Sequence, residues 1–256
     1  MGGAGCLKGD VMTHRFFASP DDIGAGRVNL PSDAARQIRT VLRMQPGAEI
    51  IVLDNAGQEY RLRLTMVEKS GVQGDIIEQY PARGEPAVKV TLYQAALKGQ
   101  KFEWVLQKGT ELGVDRFVPV VSRRTVVQEA TALDKKQERW QRIITEAAEQ
   151  SGRGRVPKLD RAMLLDTAWQ DAAAASLRLM LWEEEKNTSL KEALANVAPN
   201  SVALFVGPEG GFTALEAATA KKAGGQPVGL GPRILRAETA AVAVCAAIFY
   251  ELGTWT

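Results

Sequence analysis

The sequence predicts an α/β protein in which a small β-barrel precedes a larger domain built on a mostly parallel sheet. Three observations predict it. From Arg15 to about Tyr80, short runs of alternating apolar and polar residues are punctuated by turn formers. Two prolines then flank a glycine in Pro81-Ala82-Arg83-Gly84-Glu85-Pro86, which reads as a linker. Beyond it the pattern becomes strand, helix, strand, which implies parallel strands covered by helices on both faces.

The elements follow in order. Residues 49–53 and 75–79 read as strands, and Tyr60, Leu62, Leu64 and Met66 alternate with Arg61, Arg63 and Thr65, as in a half-buried strand. Turns fall at Pro46-Gly47, Asp54-Asn55-Ala56-Gly57 and Ser70-Gly71. One short helix is expected over residues 32–42, with Ser32 as its N-cap and Ile38, Val41 and Leu42 as its apolar face. After the linker, strands are expected at 88–94, 117–121, 177–182, 202–206 and 227–230. Phe102, Val105, Leu106, Gly109 and Leu112 mark a helix that ends at Gly113. Further helices are expected at 134–150, 189–196 and 213–223, with a closing helix at 237–252.

Scarce residues exclude whole classes of chemistry. The 256 residues contain one histidine, His14, and two distant cysteines, Cys6 and Cys245. A zinc site of His and Cys, a disulfide framework and catalysis through a His pair are therefore excluded, and no metal is expected. A reducing, cytoplasmic setting fits this usage. No apolar run approaches the ~20 residues that span a bilayer, so no membrane partner is expected. Residues 1–11 lack the pattern of a secretory signal and read as an extension ahead of a second possible start at Met12.

Net charge is only +2, so any polyanion footprint must come from clustering. Arg36, Arg39 and Arg43 share one helical face. Arg153, Arg155, Lys158 and Arg161 crowd a glycine-containing loop. From Ala217 to Ala237 every charge is positive: Lys221, Lys222, Arg233 and Arg236. Each cluster alone reads equally well as a solvated surface, but three together favour a polyanion partner.

In open α/β sheets, ligands bind beyond the carboxyl ends of the strands. Two such ends are glycine-rich. One strand runs into Gly207-Pro208-Glu209-Gly210-Gly211-Phe212-Thr213, another into Gly231-Pro232-Arg233-Ile234-Leu235-Arg236-Ala237-Glu238-Thr239. Glycines there allow close backbone approach, although either loop alone reads equally as a tight turn. The first loop lacks the G-K-[ST] ending of a phosphate loop and carries Glu209, which disfavours nucleoside triphosphates and dinucleotides.

These two loops resemble the signature loops of the ribosomal RNA small subunit methyltransferase E family of bacteria. Arg15-Phe16-Phe17, Lys98-Gly99 through Lys108, Glu111-Leu112-Gly113-Val114, Glu149-Gln150-Ser151-Gly152-Arg153 with Val156-Pro157, and Val41-Leu42-Arg43-Met44 with Gly47 match as well. Gln37 departs from the pattern, where a histidine is expected. The resemblance runs from about Thr13 to the C-terminus. It implies a PUA-like, RNA-binding barrel over residues 12–82 and a SPOUT methyltransferase domain over residues 87–256, with a C-terminal trefoil knot and a homodimer. It also implies transfer of a methyl group from S-adenosylmethionine to N3 of a uridine in 16S rRNA (uridine 1498), on the assembled small subunit.

The resemblance assigns cofactor binding to Leu181, Trp182, Val206, Gly207, Glu209, Gly210, Gly211, Leu230, Gly231, Ile234, Leu235, Arg236 and Thr239. Arg15, Arg39, Arg43, Lys98, Arg123, Arg124, Arg153, Arg155 and Arg233 are the expected RNA contacts. Uracil N3 becomes nucleophilic only when its imide proton leaves. Arg236, a permanent cation with a planar fork, is the candidate stabiliser of that anion, and Glu238 the candidate proton acceptor or orienter of Arg236. A capping role for Glu238 at the closing helix is an equal alternative. The alanines Ala240, Ala241, Ala243, Ala246 and Ala247 suit either a dimer contact or packing on the chain's own sheet. Two rival functions are an RNA-binding assembly factor without catalysis, and a related methyltransferase acting on another RNA or on a ribose 2′-hydroxyl.

Overall fold

A computed structural model describes residues 14–253; the extension expected over residues 1–11, with Cys6, lies outside the described residues. The described residues divide into two compact units, residues 14–84 with 152–155, and residues 85–151 with 156–253.

The first unit contains β1 (Arg15–Phe17), β2 (Arg27–Asn29), α1 (Ser32–Arg36), β3 (Glu49–Leu53), β4 (Gln58–Glu68) and β5 (Gly71–Pro81). The strands form one mixed sheet in the order β1-β3-β4-β5-β2, with β1 parallel to β3 and the other pairs antiparallel. Both edge strands are three residues long, which limits edge pairing. Phe16, Val28, Ile50, Val52, Leu62, Leu64 and Ile38 are buried together beneath it.

Two details of this unit differ from expectation. Pro31, extended at φ −61° and ψ 157°, is the N-cap, and Ser32 is already helical. Pro lacks an N–H and has its φ preset, so it suits the boundary without any side-chain bond. After Arg36 the helix widens into a π-turn over Gln37–Val41. That extra residue per turn rotates Val41 outward, 71% exposed, while Ile38 stays buried.

The second unit contains β6 (Lys89–Ala95), α2 (Lys101–Leu112), β7 (Arg116–Val121), α3 (Gln137–Ser151), β8 (Lys158–Leu159), β9 (Met163–Leu164), α4 (Leu165–Asp171), β10 (Leu177–Leu181), α5 (Leu190–Leu194), β11 (Ser201–Val206), α6 (Ala214–Lys222), β12 (Gln226–Val228) and α7 (Ala237–Glu251). Its sheet runs β12-β10-β11-β6-β7-β8, with β9 also on β7, and every pair is parallel. This is the expected mostly parallel α/β sheet covered by helices.

Strand alternation divides the core in two. Leu92, Phe117, Leu179, Val202, Leu204 and Val206 face α2, α3, α5 and α7, while Tyr93, Val118, Met180, Ala203 and Phe205 face α4 and α6. Helix α7 contributes Ala241, Val244, Cys245, Ile248 and Phe249, a stripe spaced three and four residues apart. Full burial of each large member stabilises by ~1.5–3 kcal/mol. The same spacing recurs at Leu165, Ala168 and Trp169 in α4 and at Ala172 just after it, in a helix absent from the expected elements. Helix α2 stops at Gly113, φ +114°, where a Cβ would lie 2.5 Å from Pro86 Cγ.

One polar cluster pins this sheet. Arg116 donates to Asp160 through Nε (2.7 Å) and to Asp171 through Nη1 (2.8 Å), and the Tyr93 hydroxyl donates to Asp171 (2.6 Å). Burial together with the Asp171 bond pushes the Tyr93 phenol well above its ordinary range.

Candidate active site

The strand order sets β11, β10 and β12 side by side, so the carboxyl ends of all three open onto one cavity of about 470 Å³. Leu181 and Trp182 line it from the end of β10. Val206, Gly207, Glu209 and Gly211 line it from the first glycine loop, and Leu230, Gly231, Ile234, Leu235 and Arg236 from the second. Two expected cofactor residues, Gly210 and Thr239, do not line it.

The first loop is held from several sides. Gln94, buried at the end of β6, donates from Nε2 to the carbonyls of Ala95 (3.0 Å) and Gly207 (3.3 Å). The Gly211 N–H closes a turn onto the Pro208 carbonyl (2.9 Å) with Gly211 at φ +67°. A Cβ on Gly211 would lie 2.1 Å from Glu183 Oε1, so this glycine admits the Glu183 carboxylate to the wall. Thr213 caps α6 reciprocally with Glu216, whose other oxygen accepts the Arg123 N–H (2.9 Å). Arg124 Nη1 donates to the Gly210 carbonyl (2.7 Å).

The second loop turns on Gly229 and Gly231. Gly229 donates to the Thr188 carbonyl (2.9 Å), and a Cβ there would meet the Glu185 carbonyl at 2.5 Å. Gly231 holds φ +91°. Ile234 is 89% exposed, so it forms a cavity rim and takes no part in the core. Arg236 is the N-cap residue of α7, and its side chain makes no capping bond and stands exposed on the cavity.

Charges meet at one end. Glu209 Oε1 accepts the Lys98 N–H at 3.0 Å and lies 3.6 Å from Lys101 Nζ. Partial burial would raise the Glu209 carboxyl. The Lys98 and Glu209 N–H groups and the Lys101 charge outweigh it and hold that carboxyl below its ordinary range. Glu238, the candidate proton acceptor, does not line the cavity; its Oε1 lies 3.6 Å from Lys101 Nζ, and its buried Oε2 has no hydrogen-bond partner among the described residues. Lys101, Glu183 and Lys186 line the cavity and were missed in the sequence reading. The only local signal was Lys101 following Lys98-Gly99, since convergence from three elements leaves no spacing to read.

The expected RNA contacts fall in both units. In the first, Arg43 is exposed, Arg39 Nη1 donates to the Glu68 carbonyl (3.1 Å), and Arg155 Nη2 to the Ala56 carbonyl (3.0 Å). Arg15 is half-buried near Glu59, whose carboxyl burial raises while Arg15 and Arg83 partly offset the rise. Arg153 is only 2% exposed, so it is a buried structural cation and not a surface phosphate contact. In the second unit, the side chains of Lys98, Arg123 and Arg124 are exposed and Arg233 lines the cavity. Among the described residues no group of three acidic, His or Cys side chains is arranged to hold a metal, and no helix is long and apolar enough to cross a membrane.

The parallel sheet with its glycine-walled cavity and the small β-domain are each matched by an RNA methyltransferase family model, which makes this an RNA methyltransferase. Residues 84–249 match the model of the RNA methyltransferase domain, and residues 30–77 that of the RNA methyltransferase PUA domain. A ribosomal RNA small subunit methyltransferase E from Bacillus subtilis is 34% identical over 229 residues, covering 87% of this chain and 90% of that protein. One from Synechocystis is 34% identical over 93% of this chain and 78% of its own length. The crystal structure of the Neisseria gonorrhoeae enzyme of the same name, bound to S-adenosylmethionine, superimposes with a TM-score of 0.82. It is 34% identical and is covered to 97%, against 93% of this chain. The chain belongs to the ribosomal RNA small subunit methyltransferase E family.

Proposed function

We propose that this protein transfers a methyl group from S-adenosylmethionine to N3 of a uridine in 16S rRNA, acting in the cytoplasm as a homodimer on the assembled small subunit. The observation that carries the reading is the cavity itself: two glycine loops and the end of β10 wall a space of about 470 Å³, within the range of small-molecule sites. Gly211, where a Cβ would lie against the Glu183 carboxylate, and Trp182, whose buried Nε1 has no partner among the described residues, fit a ligand laid against backbone.

Residues Leu181, Trp182, Val206, Gly207, Gly211, Leu230 and Leu235 hold the cofactor in this reading, and Ile234 covers it from the rim. The cofactor supplies an electrophilic methyl group. Arg236 lines the cavity as a permanently charged fork with no ion-pair partner among the described residues and stabilises the negative charge that develops on the uracil oxygens as the imide proton leaves. The imide proton passes to water, and Glu238, which does not line the cavity and whose Oε2 is buried, orients the segment that carries Arg236 through its contact with Lys101. The base reaches the cavity only by leaving its stack. Arg43, Lys98, Arg123 and Arg233 meet phosphates and position the RNA without reading its sequence. Ala243 and Tyr250, exposed on the face of α7 opposite its buried stripe, form part of the dimer contact.

The test is nucleoside mass spectrometry of 16S rRNA from a strain lacking the gene, before and after incubation of its small subunits with the protein and S-adenosylmethionine. N3-methyluridine should be absent and then restored. A missing 2′-O-methyl nucleoside, or a methylated tRNA, would replace this reading with another substrate.

A further inference from the structure

We infer that Lys101, outside both glycine loops, is a positioning residue that ties the two walls of the cavity together through Glu209 and Glu238. This rests on the methyltransferase reading of that cavity. Lys101 is the first residue of α2, and its ammonium lies 3.6 Å from Glu209 Oε1 in the first loop and 3.6 Å from Glu238 Oε1 at the start of α7. Glu238 follows Arg236 by two residues, so the same ammonium fixes the stretch of chain that presents the guanidinium.

Helix stability does not account for a cation here. The amino end of a helix carries partial positive charge and favours anions, so Lys101 is unfavourably placed with respect to its own helix. Glu103 in the same turn is engaged elsewhere, by Arg139 Nη2 at 2.7 Å. What compensates Lys101 is the pair of carboxylates facing it from two other segments. Without it they would face each other with no counter-charge, and Glu238, 14% exposed, would keep no partner among the described residues. Repulsion between them would push the two walls apart.

The experiment compares wild type with Lys101→Met, Lys101→Arg, Glu238→Gln and the double variant Lys101→Met/Glu238→Gln. Calorimetric affinity for S-adenosylmethionine, single-turnover methylation of small subunits and thermal midpoints are measured for each. Wild type that neither binds the cofactor nor methylates removes the methyltransferase reading, and this inference with it. With wild type active, Lys101→Met should lower the single-turnover rate at saturating cofactor by about tenfold or more, equivalent to one lost charge-assisted contact. Lys101→Arg should recover most of that loss. In the Glu238→Gln background, Lys101→Met should cost several-fold less, because the repulsion it exposes is already reduced. The inference is overturned by a wild-type rate in Lys101→Met, by Lys101→Arg failing as badly as Met, or by fully additive losses. A drop in midpoint with unchanged rate would also overturn it, since that marks a purely structural lysine.

Discussion

Replacing Gly211 by alanine separates the cavity's shape from the fold's stability. Gly211 sits at φ +67°, a region that costs an L-residue ~1–2 kcal/mol. A Cβ would lie 2.1 and 2.6 Å from the two Glu183 carboxylate oxygens. Those atoms end a flexible, exposed side chain, so the clash is relieved by swinging the carboxylate away and adds little to the backbone strain. The expected stability loss is therefore ~1–2 kcal/mol, a fall of a few degrees in Tm for a unit of this size. The cavity suffers more, because the methyl group and the displaced carboxylate intrude on one wall together. Affinity for S-adenosylmethionine should fall at least about tenfold, or ~1.4 kcal/mol. Gly210→Ala is the control: the nearest atoms to its Cβ would be Arg124 Cβ at 3.3 Å, Cδ at 3.4 Å and Cγ at 3.8 Å, and Gly210 does not line the cavity. Titration calorimetry at a temperature where both variants are fully folded reads the difference. Wild-type affinity in Gly211→Ala, or an equal loss in Gly210→Ala, would refute this account of the loop.

Three further outcomes are expected. Arg236→Lys keeps the charge but loses the planar fork, so turnover should fall by ~10²–10³ with little change in cofactor affinity; single-turnover methylation at saturating RNA checks it, and a raised KM alone would make Arg236 a phosphate contact. Gly109→Ala should destabilise despite its gain of ~1 kcal/mol in helix propensity, because the new Cβ would lie 2.7 Å from Phe117 Cε1 and overpacking costs ~1–3 kcal/mol; a raised Tm would contradict the packing. Glu209, whose carboxyl is held below its ordinary range, contributes stability that is present above its unfolded pKa of ~4.3 and lost as pH falls through the folded value. Urea unfolding of wild type and Glu209→Gln should therefore converge as pH falls from 7 toward 3, and a constant gap would rule out the carboxylate's charge as the source.

Much of the fold was legible because burial in a two-layered sheet writes itself into local spacing. The stripe Ala241, Val244, Cys245, Ile248, Phe249 and the alternation of β4 are of this kind, and so are the two glycine loops, which follow strand ends directly. Departures arise where geometry adds a residue or takes one from solvent. The π-turn at Gln37–Val41 turned Val41 out of the expected apolar face, and an extended proline took the cap from Ser32. Arg153 sits in a basic run that looks superficial, yet the structure buries it. Lys101 and Glu183 approach the glycine loops from α2 and from the end of β10, and no spacing along the chain announces that meeting.

The order β10-β11-β6-β7 explains why basic residues and the first glycine loop are physically linked. Segments that leave neighbouring parallel strands at the same end lie side by side, so the one after β6 lies beside the one after β11, and the one after β7 comes next on that side. Lys98 supplies a backbone N–H to Glu209, Arg123 one to Glu216, and Arg124 a guanidinium bond to the Gly210 carbonyl. In the first two cases the bond uses the backbone and leaves the side-chain charge exposed. In the third it uses one of five guanidinium donors, and four remain. Holding the loop and meeting a phosphate are therefore compatible demands on the same three residues.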